Sequence, residues 1–335
     1  MRIFPKSGRP QTADLDGAPQ QPGPADPGDL KVAVVEQDSR PSAWPVVVGR
    51  ATPLFEPVAV TEEFRRIPYR PDTVLDGWSV GPFTIRAGSM RGHLHRHNGA
   101  PRQDDLAITH VLDRRLNVAV ADGVSGARQS HIGASTAVRY ASQWLADHVA
   151  DIGADTSTAI DWHTLFRYAA WALIEQSVAV LGVPEADAAQ AEQHLATTLV
   201  AAVCDPLPDG TLSARLAGVG DSVAWLLTGG RFVPVLGGKQ ISESGLSSSA
   251  VSGLPRVPAE VESARVIVGV DDVLLIGTDG LGDPLGAGTG EVGALFRTML
   301  ERRVPSLIEF GHVLDFSRET FDDDRTLVAI WPRPR

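Results

Sequence analysis

The sequence predicts an α+β fold, an α-β-β-α sandwich of two antiparallel sheets flanked by helices. Three observations predict it. Apolar runs of strand length recur, and three of them end in an aspartate: Asn117-Val118-Ala119-Val120-Ala121-Asp122-Gly123, Leu216-Ala217-Gly218-Val219-Gly220-Asp221 and Val273-Leu274-Leu275-Ile276-Gly277-Thr278-Asp279-Gly280. Two long stretches of helical spacing separate the first of these runs from the second. The later apolar runs follow one another across turn-sized gaps, which favours antiparallel neighbours. An order of strands, two long helices, strands, two helices and a last strand suits two packed antiparallel sheets better than a doubly wound parallel sheet.

Taken in order, residues 1–43 are rich in Pro, Gly, Asp, Gln and Ser. They bury too little apolar area to offset the entropy of ordering, which predicts a disordered tail. Residues 44–78 form a transitional segment with two short extended pieces, Pro45-Val46-Val47-Val48-Gly49 and Pro57-Val58-Ala59-Val60. The folded domain is expected over 79–335. Residues 83–87 alternate like a strand, and 106–111 with 116–120 read as a hairpin about Asp113-Arg114-Arg115. Helices are predicted over 130–150, with Ile132, Val138, Trp144, Leu145 and Val149 on one face, and over 158–181, where Leu165, Phe166, Ala169, Leu173 and Val180 recur. Gly182-Val183-Pro184 stops the second helix. Strands are expected at 196–203, 213–217 and 223–227, pairing in succession. A Gly/Ser-rich mobile loop is expected over 237–256 and a hairpin from 261–268 with 273–278. Helices at 291–303 and 305–318 and a strand at 326–331 complete the order.

A chain of 335 residues has ample material for a buried core. The formal net charge of -11 argues against a nucleic-acid partner, because phosphate backbones are held mainly by Lys and Arg. It does not exclude a phosphorylated substrate, since bound cations reverse the local field. The single cysteine, Cys204, forms no internal disulfide and reads as an inert, half-buried thiol. No run reaches the roughly 18–20 apolar residues of a bilayer span, and the start lacks a signal-peptide core, so a cytoplasmic location without a membrane span is expected.

Carboxylates delivered to strand tips suit hard divalent cations, which take oxygen ligands and keep part of their water. Any one of these aspartates could instead cap a turn or helix. Their ordered recurrence, with Asp322-Asp323-Asp324 before the run Leu327-Val328-Ala329-Ile330, favours a metal-dependent hydrolase. His93, His95 and His97 alternate as metal ligands on one strand face would, but His93 and His97 read better as exposed loop residues, with His95 set apart from them.

The set Asp122-Gly123, Ala196-Thr197-Thr198, Gly220-Asp221-Ser222, Thr278-Asp279-Gly280-Leu281-Gly282-Asp283 and Asp323-Asp324-Arg325-Thr326 resembles the PPM-type (type 2C) metal-dependent serine/threonine protein phosphatase family. His95, Gly99, Pro101, Gln103 and Asp104, with Ser125, Gly126, Ser130, Gly133 and Ala134, are spaced as in a bacterial branch of it. The resemblance covers roughly residues 85–331. It implies that Asp122 bridges two Mn²⁺ or Mg²⁺ ions, that the Gly123 carbonyl touches one, and that Asp279 and Asp323 hold the other. Asp221 and Asp283 match positions around a third, weaker site. Gln103 and Asp104 stand where the family has Glu-Asp, beside the second metal. The implied reaction is hydrolysis of phosphoserine or phosphothreonine in a protein, the product of a Ser/Thr kinase, through a metal-bridged hydroxide. Val124 stands where some members carry a histidine, so His95, another residue or water would protonate the leaving alkoxide. Arg91, Arg96 and Arg102 are the candidates for the family's phosphate-binding arginine. The neutral Gln103 leaves room for an alternative, a pseudophosphatase that binds a partner without turnover, and a hydrolase of a small phosphorylated metabolite would share the same metal centre.

Overall fold

Strand tips carrying aspartates meet only if the strands that bear them lie side by side, and the computed structural model shows how they do so. It describes residues 46–52, 58, 61, 64, 71–111, 115–149, 159–237 and 253–333. The tail expected over 1–43 and most of the Gly/Ser-rich stretch expected over 237–256 lie outside the described residues.

One sheet has five strands in the order β10-β7-β6-β5-β4. These are β10 (Glu262–Val268), β7 (Leu212–Val219), β6 (Leu199–Pro206), β5 (Arg115–Ala121) and β4 (Asp105–Val111). The other has seven, with the path β1-β3-β12-β11-β8-β9 and β2 paired to β3. Its strands are β1 (Thr73–Asp76), β2 (Ser79–Val80), β3 (Phe83–Met90), β8 (Val223–Thr228), β9 (Arg231–Leu236), β11 (Val273–Gly277) and β12 (Arg325–Pro332). All pairings between these strands are antiparallel.

Helices α2 (Ser130–Val149), α3 (Trp162–Leu181) and α4 (Ala188–Leu195) cover the five-stranded sheet. Ala134, Ala137, Val138, Ala141, Trp144 and Leu145 supply the buried stripe of α2 at helical spacing. Helices α5 (Asp279–Leu285), α6 (Glu291–Leu300) and α7 (Leu307–Leu314) cover the seven-stranded sheet. A third apolar layer, with Ile85, Val118, Val120, Ala202, Leu216, Ile276 and Val328, lies between the sheets. Strands β5 and β12 are therefore buried along their whole length, which is why both read as near-continuous apolar runs.

The α-β-β-α layering is as the sequence predicts, and several details differ. Residues 261–268 and 273–278 form no hairpin: β10 pairs with β7, whereas β11 pairs with β8 and β12 in the other sheet. The Gly269-Val270-Asp271-Asp272 link crosses between layers. In the same way β6 and β7 pair but β8 does not join them, because the chain changes sheets at Gly220-Asp221-Ser222. Helix α3 begins at Trp162, since Asp161 stands outside the helix and its carboxylate accepts from the Thr164 N–H at 3.0 Å. Three helices and the strands β1, β2 and β9 have no counterpart in the sequence reading. One of the helices is α1 (His93–Asn98), which stands where an exposed loop holding His93 and His97 is expected. On a helix His95 turns inward, while His97 is exposed and His93 half-buried. The expected half-buried Cys204 is fully buried on β6. The boundary expected at 79 falls inside the seven-stranded sheet, because β1 already pairs along β3.

Candidate functional site

Register decides which side chains meet. In the five-stranded sheet Asp105 pairs with Ala121 and Leu199 with Val219, so Asp104, Asp122, Thr198 and Gly220 gather at one end. In the seven-stranded sheet Gly277 pairs with both Leu327 and Val223, and Arg325 with Met90, which gathers Thr278, Asp324, Ser222 and Arg91 at the end of that layer. The two ends coincide. Asp122, Gly123, Thr198, Asp221, Asp279 and Asp323 all line one cavity of about 180 Å³. An adjoining cavity of about 150 Å³ shares Asp279 and Asp323 and adds Asp283 and Asp322. Asp221 and Asp283, paired in the sequence reading, thus face different cavities.

Hydroxyl groups fix the carboxylates. The Asp122 N–H donates to Thr198 Oγ1 at 2.9 Å, and its carbonyl accepts from the Thr198 N–H at 2.7 Å and from Thr197 Oγ1 at 2.8 Å. Ser222 Oγ lies 2.7 Å from Thr198 Oγ1, tying the tip of one sheet to the other. Asp104 is buried beneath the cavity, where its Oδ2 accepts from Thr278 Oγ1 at 2.7 Å and from Thr326 Oγ1 at 2.8 Å. Thr278 stands at the N-cap of α5 and gives its hydroxyl to this carboxylate rather than to the helix. Gly280 is required by close approach: a Cβ there would lie 1.8 Å from the Asp324 carbonyl oxygen.

The resulting field is strongly negative. Burial first, then the carboxylates Asp104, Asp279 and Asp323, push the Asp122 carboxyl well above its usual range, although its side chain lines the cavity. Asp104 is raised well above its usual range by burial and by Asp324, against the pull of the Thr278 and Thr326 hydroxyls. Asp323 is raised to about 6 by burial and Asp324, with His95 opposing.

Asp324 behaves oppositely. Burial works against its charge, but His95, through charge and hydrogen bonding, and the N–H groups of Gln103 and Gly92 hold its carboxyl below the usual range. His95 Nδ1 lies 2.9 Å from Asp324 Oδ1, and the Gly92 N–H donates to the same oxygen at 2.6 Å. Burial lowers the His95 pKa, yet Asp324, with Asp323 and Asp104 behind it, outweighs burial and raises it to about 9. Ligand atoms of His95, Asp323 and Asp324 lie within 4.8 Å of one another. With Asp324 engaged by His95 and two amides, this trio is an ion-paired clamp rather than a metal site in its own right.

Ser125 and Gly126 also line the cavity, whereas Gln103, Arg91, Arg96 and Arg102 stand outside its lining. The Gln103 side chain accepts from Ser130 Oγ at 2.8 Å, and its backbone N–H goes to Asp324 Oδ2. Arg102 is fully buried and donates to the Asp104 carbonyl at 2.9 Å and to Ser89 Oγ. Buried Arg91 donates to the His95 carbonyl at 2.8 Å, and Arg96 reaches Asp72 and Asp315 at 3.0 and 2.9 Å. These arginines brace the loops around the cavity. Asp324, Ser89, Thr278 and Thr326 were given no individual role by sequence reasoning. The quoted motifs contain three of them, but no spacing rule says which hydroxyl reaches which carboxylate.

A buried tier of carboxylates under an open, acid-lined cavity, placed where two packed sheets end together, defines a phosphatase-type sandwich. The chain belongs to the protein phosphatase 2C family, whose pattern it matches over residues 91–308. Among solved structures it resembles the catalytic domain of the serine/threonine protein phosphatase PstP in complex with two manganese ions. That match has 17% identity, a TM-score of 0.50, and covers 76% of this chain and 99% of that one. It also resembles a bacterial serine phosphatase, at 15% identity and a TM-score of 0.51, over 75% of this chain and 98% of that one. At these identities the likeness shows the fold. No curated protein sequence gives a significant match.

Proposed function

We propose that this chain is a divalent-cation-dependent phosphatase acting on phosphoserine and phosphothreonine in proteins. The observation that carries the reading is the convergence of Asp122, Asp279 and Asp323 on one cavity with buried Asp104 close enough to act on Asp122, the protein holding the carboxyls of Asp104, Asp122 and Asp323 above their usual range. Such a set is costly unless cations balance it, and the all-oxygen donors fit Mn²⁺ or Mg²⁺. Asp122 and the Gly123 carbonyl, Asp279 and Asp323 would hold two ions. Asp221 and Asp283, in their separate cavities, are candidates for weaker binding. Bound cations would supply the charge that makes water acidic enough to attack at neutral pH and that neutralises the phosphoryl oxygens.

The chain's own residues do the rest. Thr197, Thr198 and Ser222 hold the Asp122 backbone, and Asp104, through Thr278 and Thr326, joins the tips of β11 and β12. Since His95 Nδ1 is engaged by Asp324 and the ring is absent from the cavity lining, we assign it to holding the Asp323-Asp324 turn, with cavity water protonating the leaving alkoxide. The catalytic unit would include the strand before residue 79, because β1 is part of the sheet. A phosphoprotein made by a Ser/Thr kinase is the proposed substrate, and the PstP relative supports that class.

The test is hydrolysis of p-nitrophenyl phosphate and of a phosphothreonine peptide with Mn²⁺, with Mg²⁺ and with EDTA, alongside Asp279→Ala. Metal-dependent turnover that the variant lacks is expected. Metal binding without turnover on either substrate would replace this reading with a binding module.

A further inference from the structure

The segment before β1 is absent from the stretch that matches the family, which begins at residue 91, and it makes specific contacts with two loops of the site. Residues 46–52 run beside the loop that leads into Asp322-Asp323-Asp324. The Ser317 N–H donates to the Val46 carbonyl at 2.7 Å, the Val48 N–H returns to the Ser317 carbonyl at 2.9 Å, and the Glu319 N–H donates to the Arg50 carbonyl at 2.7 Å. Thr52 then closes the clip. Its N–H donates to Ser317 Oγ at 2.9 Å and its hydroxyl to the Arg318 carbonyl at 2.9 Å, with both Thr52 and Ser317 buried. Further on, the N–H groups of Val58 and Thr61 donate to the carbonyls of Arg96 and Gly99, at 3.1 and 3.0 Å, on the helix that carries His95.

These two loops are themselves in contact. The Leu94 N–H donates to the Asp322 carbonyl at 3.0 Å, and a Cβ on Gly92 would lie 2.2 Å from the Asp323 carbonyl carbon. Between the clip and the carboxylates stands Thr320 with φ +71, an unfavourable conformation for a β-branched residue that persists only where the surroundings impose it.

We propose that Val46 to Thr52 is a positioning strap for the metal-ligand turn: the Thr52–Ser317 clip holds the Ser317 to Asp324 loop in the conformation that delivers Asp323 to the cavity. The metal-affinity part of this inference rests on the function proposed above; the conformational part does not.

The experiment uses the full chain carrying Thr52→Val with Ser317→Ala, and separately Thr52→Ser, which keeps the hydroxyl. Amide hydrogen exchange in metal-free protein is followed over 318–324, with α2 and α3 as internal reference, and Mn²⁺ affinity is measured calorimetrically. The double variant is expected to speed exchange over 318–324 by about tenfold, as for a local opening that has lost two buried hydrogen bonds, with the reference helices unchanged. Its Mn²⁺ dissociation constant should rise by about 3- to 10-fold, at or below the usual range for disturbing a metal's outer partners. Thr52→Ser should restore both. Unchanged exchange over 318–324, or acceleration shared equally with α2 and α3, overturns the strap. A wild-type protein that binds no Mn²⁺ would sink the proposed function, and the exchange comparison would still decide the strap.

Discussion

The two ends of the five-stranded sheet treat buried carboxylates in opposite ways. At the end near residue 205, Asp205 is buried and receives Arg115 Nε at 2.6 Å and Arg215 Nη2 at 2.8 Å, one arginine on each carboxylate oxygen. At the other end the carboxyls of Asp104 and Asp122, with that of Asp323 from the facing sheet, are held above their usual range by burial and neighbouring carboxylates, and no Lys, Arg or His is among the described residues that line the cavity. The first arrangement is closed, since the carboxylate's charge and both of its oxygens are met within the protein. The second has no such balance among the described residues of its lining, which is what the proposed cations would supply. The sheet thus carries a carboxylate matched for stability at one end and, at the other, carboxylates whose repulsion costs stability until the proposed cations bind.

The same change at each end breaks the comparison in different ways. Asp122→Asn removes a proposed bridging ligand and should lower Mn²⁺-dependent p-nitrophenyl phosphate turnover by at least about 100-fold, the upper end for disturbing a metal's surroundings. In EDTA its melting temperature should not fall, because a repelling charge has gone. Asp205→Asn should do the reverse. It removes the carboxylate charge that Arg115 and Arg215 share and should cost about 3–5 kcal/mol in urea unfolding, with turnover per folded molecule unchanged. A variant at residue 205 that loses activity while keeping its stability would erase the distinction.

A smaller effect sharpens it through pH. Asp323 has a folded pKa of about 6, above the unfolded value near 3.8. A carboxyl raised in this way contributes stability that is fully present below the unfolded pKa and is lost as pH rises through the folded one. In EDTA, Asp323→Asn should therefore gain unfolding free energy relative to wild type as pH rises from about 4 to about 7, by an amount on the order of 1 kcal/mol. Saturating Mn²⁺ should reverse the order at the higher pH, because the variant loses a proposed ligand. A difference independent of pH would mean that Asp323 is already balanced within the protein.

Much of this contrast was legible in the sequence, for a physical reason. Strands buried on both faces must be apolar throughout, so an aspartate closing such a run stands out, and Asp122, Asp221 and Asp279 were found that way. Pairing across layers was not legible. Gly269-Val270-Asp271-Asp272 reads as a hairpin turn, yet it carries the chain from one sheet to the other, a choice made by packing rather than by turn residues. Short helices also escaped. Helix α4 buries only Ala191 and Leu195, too few to show a period, although the Asp187–Gln190 capping box was available as a start signal. Asp324 looked like one member of an acidic turn, and only the fold shows that its partner is His95, more than two hundred residues earlier in the chain.

The smallest expected effect concerns Cys204, next to Asp205 on the same strand. Burial first, and then the Asp205 charge against that of Arg215, pushes its thiol up to about 12. At about pH 8 the folded protein should therefore react very slowly with an aromatic disulfide, and only through opening of the sheet, since the thiolate is the nucleophile. Labelling then reports on the sheet interior independently of activity. Asp205→Asn should raise the rate by at least about tenfold, because each 1.4 kcal/mol lost multiplies the open population by ten where opening is limiting. Asp122→Asn should leave labelling as slow as in wild type. If both variants labelled at the same increased rate, the ends of the sheet would open as one unit, and the stabilising role of the Asp205 cluster would extend to the metal-binding end as well.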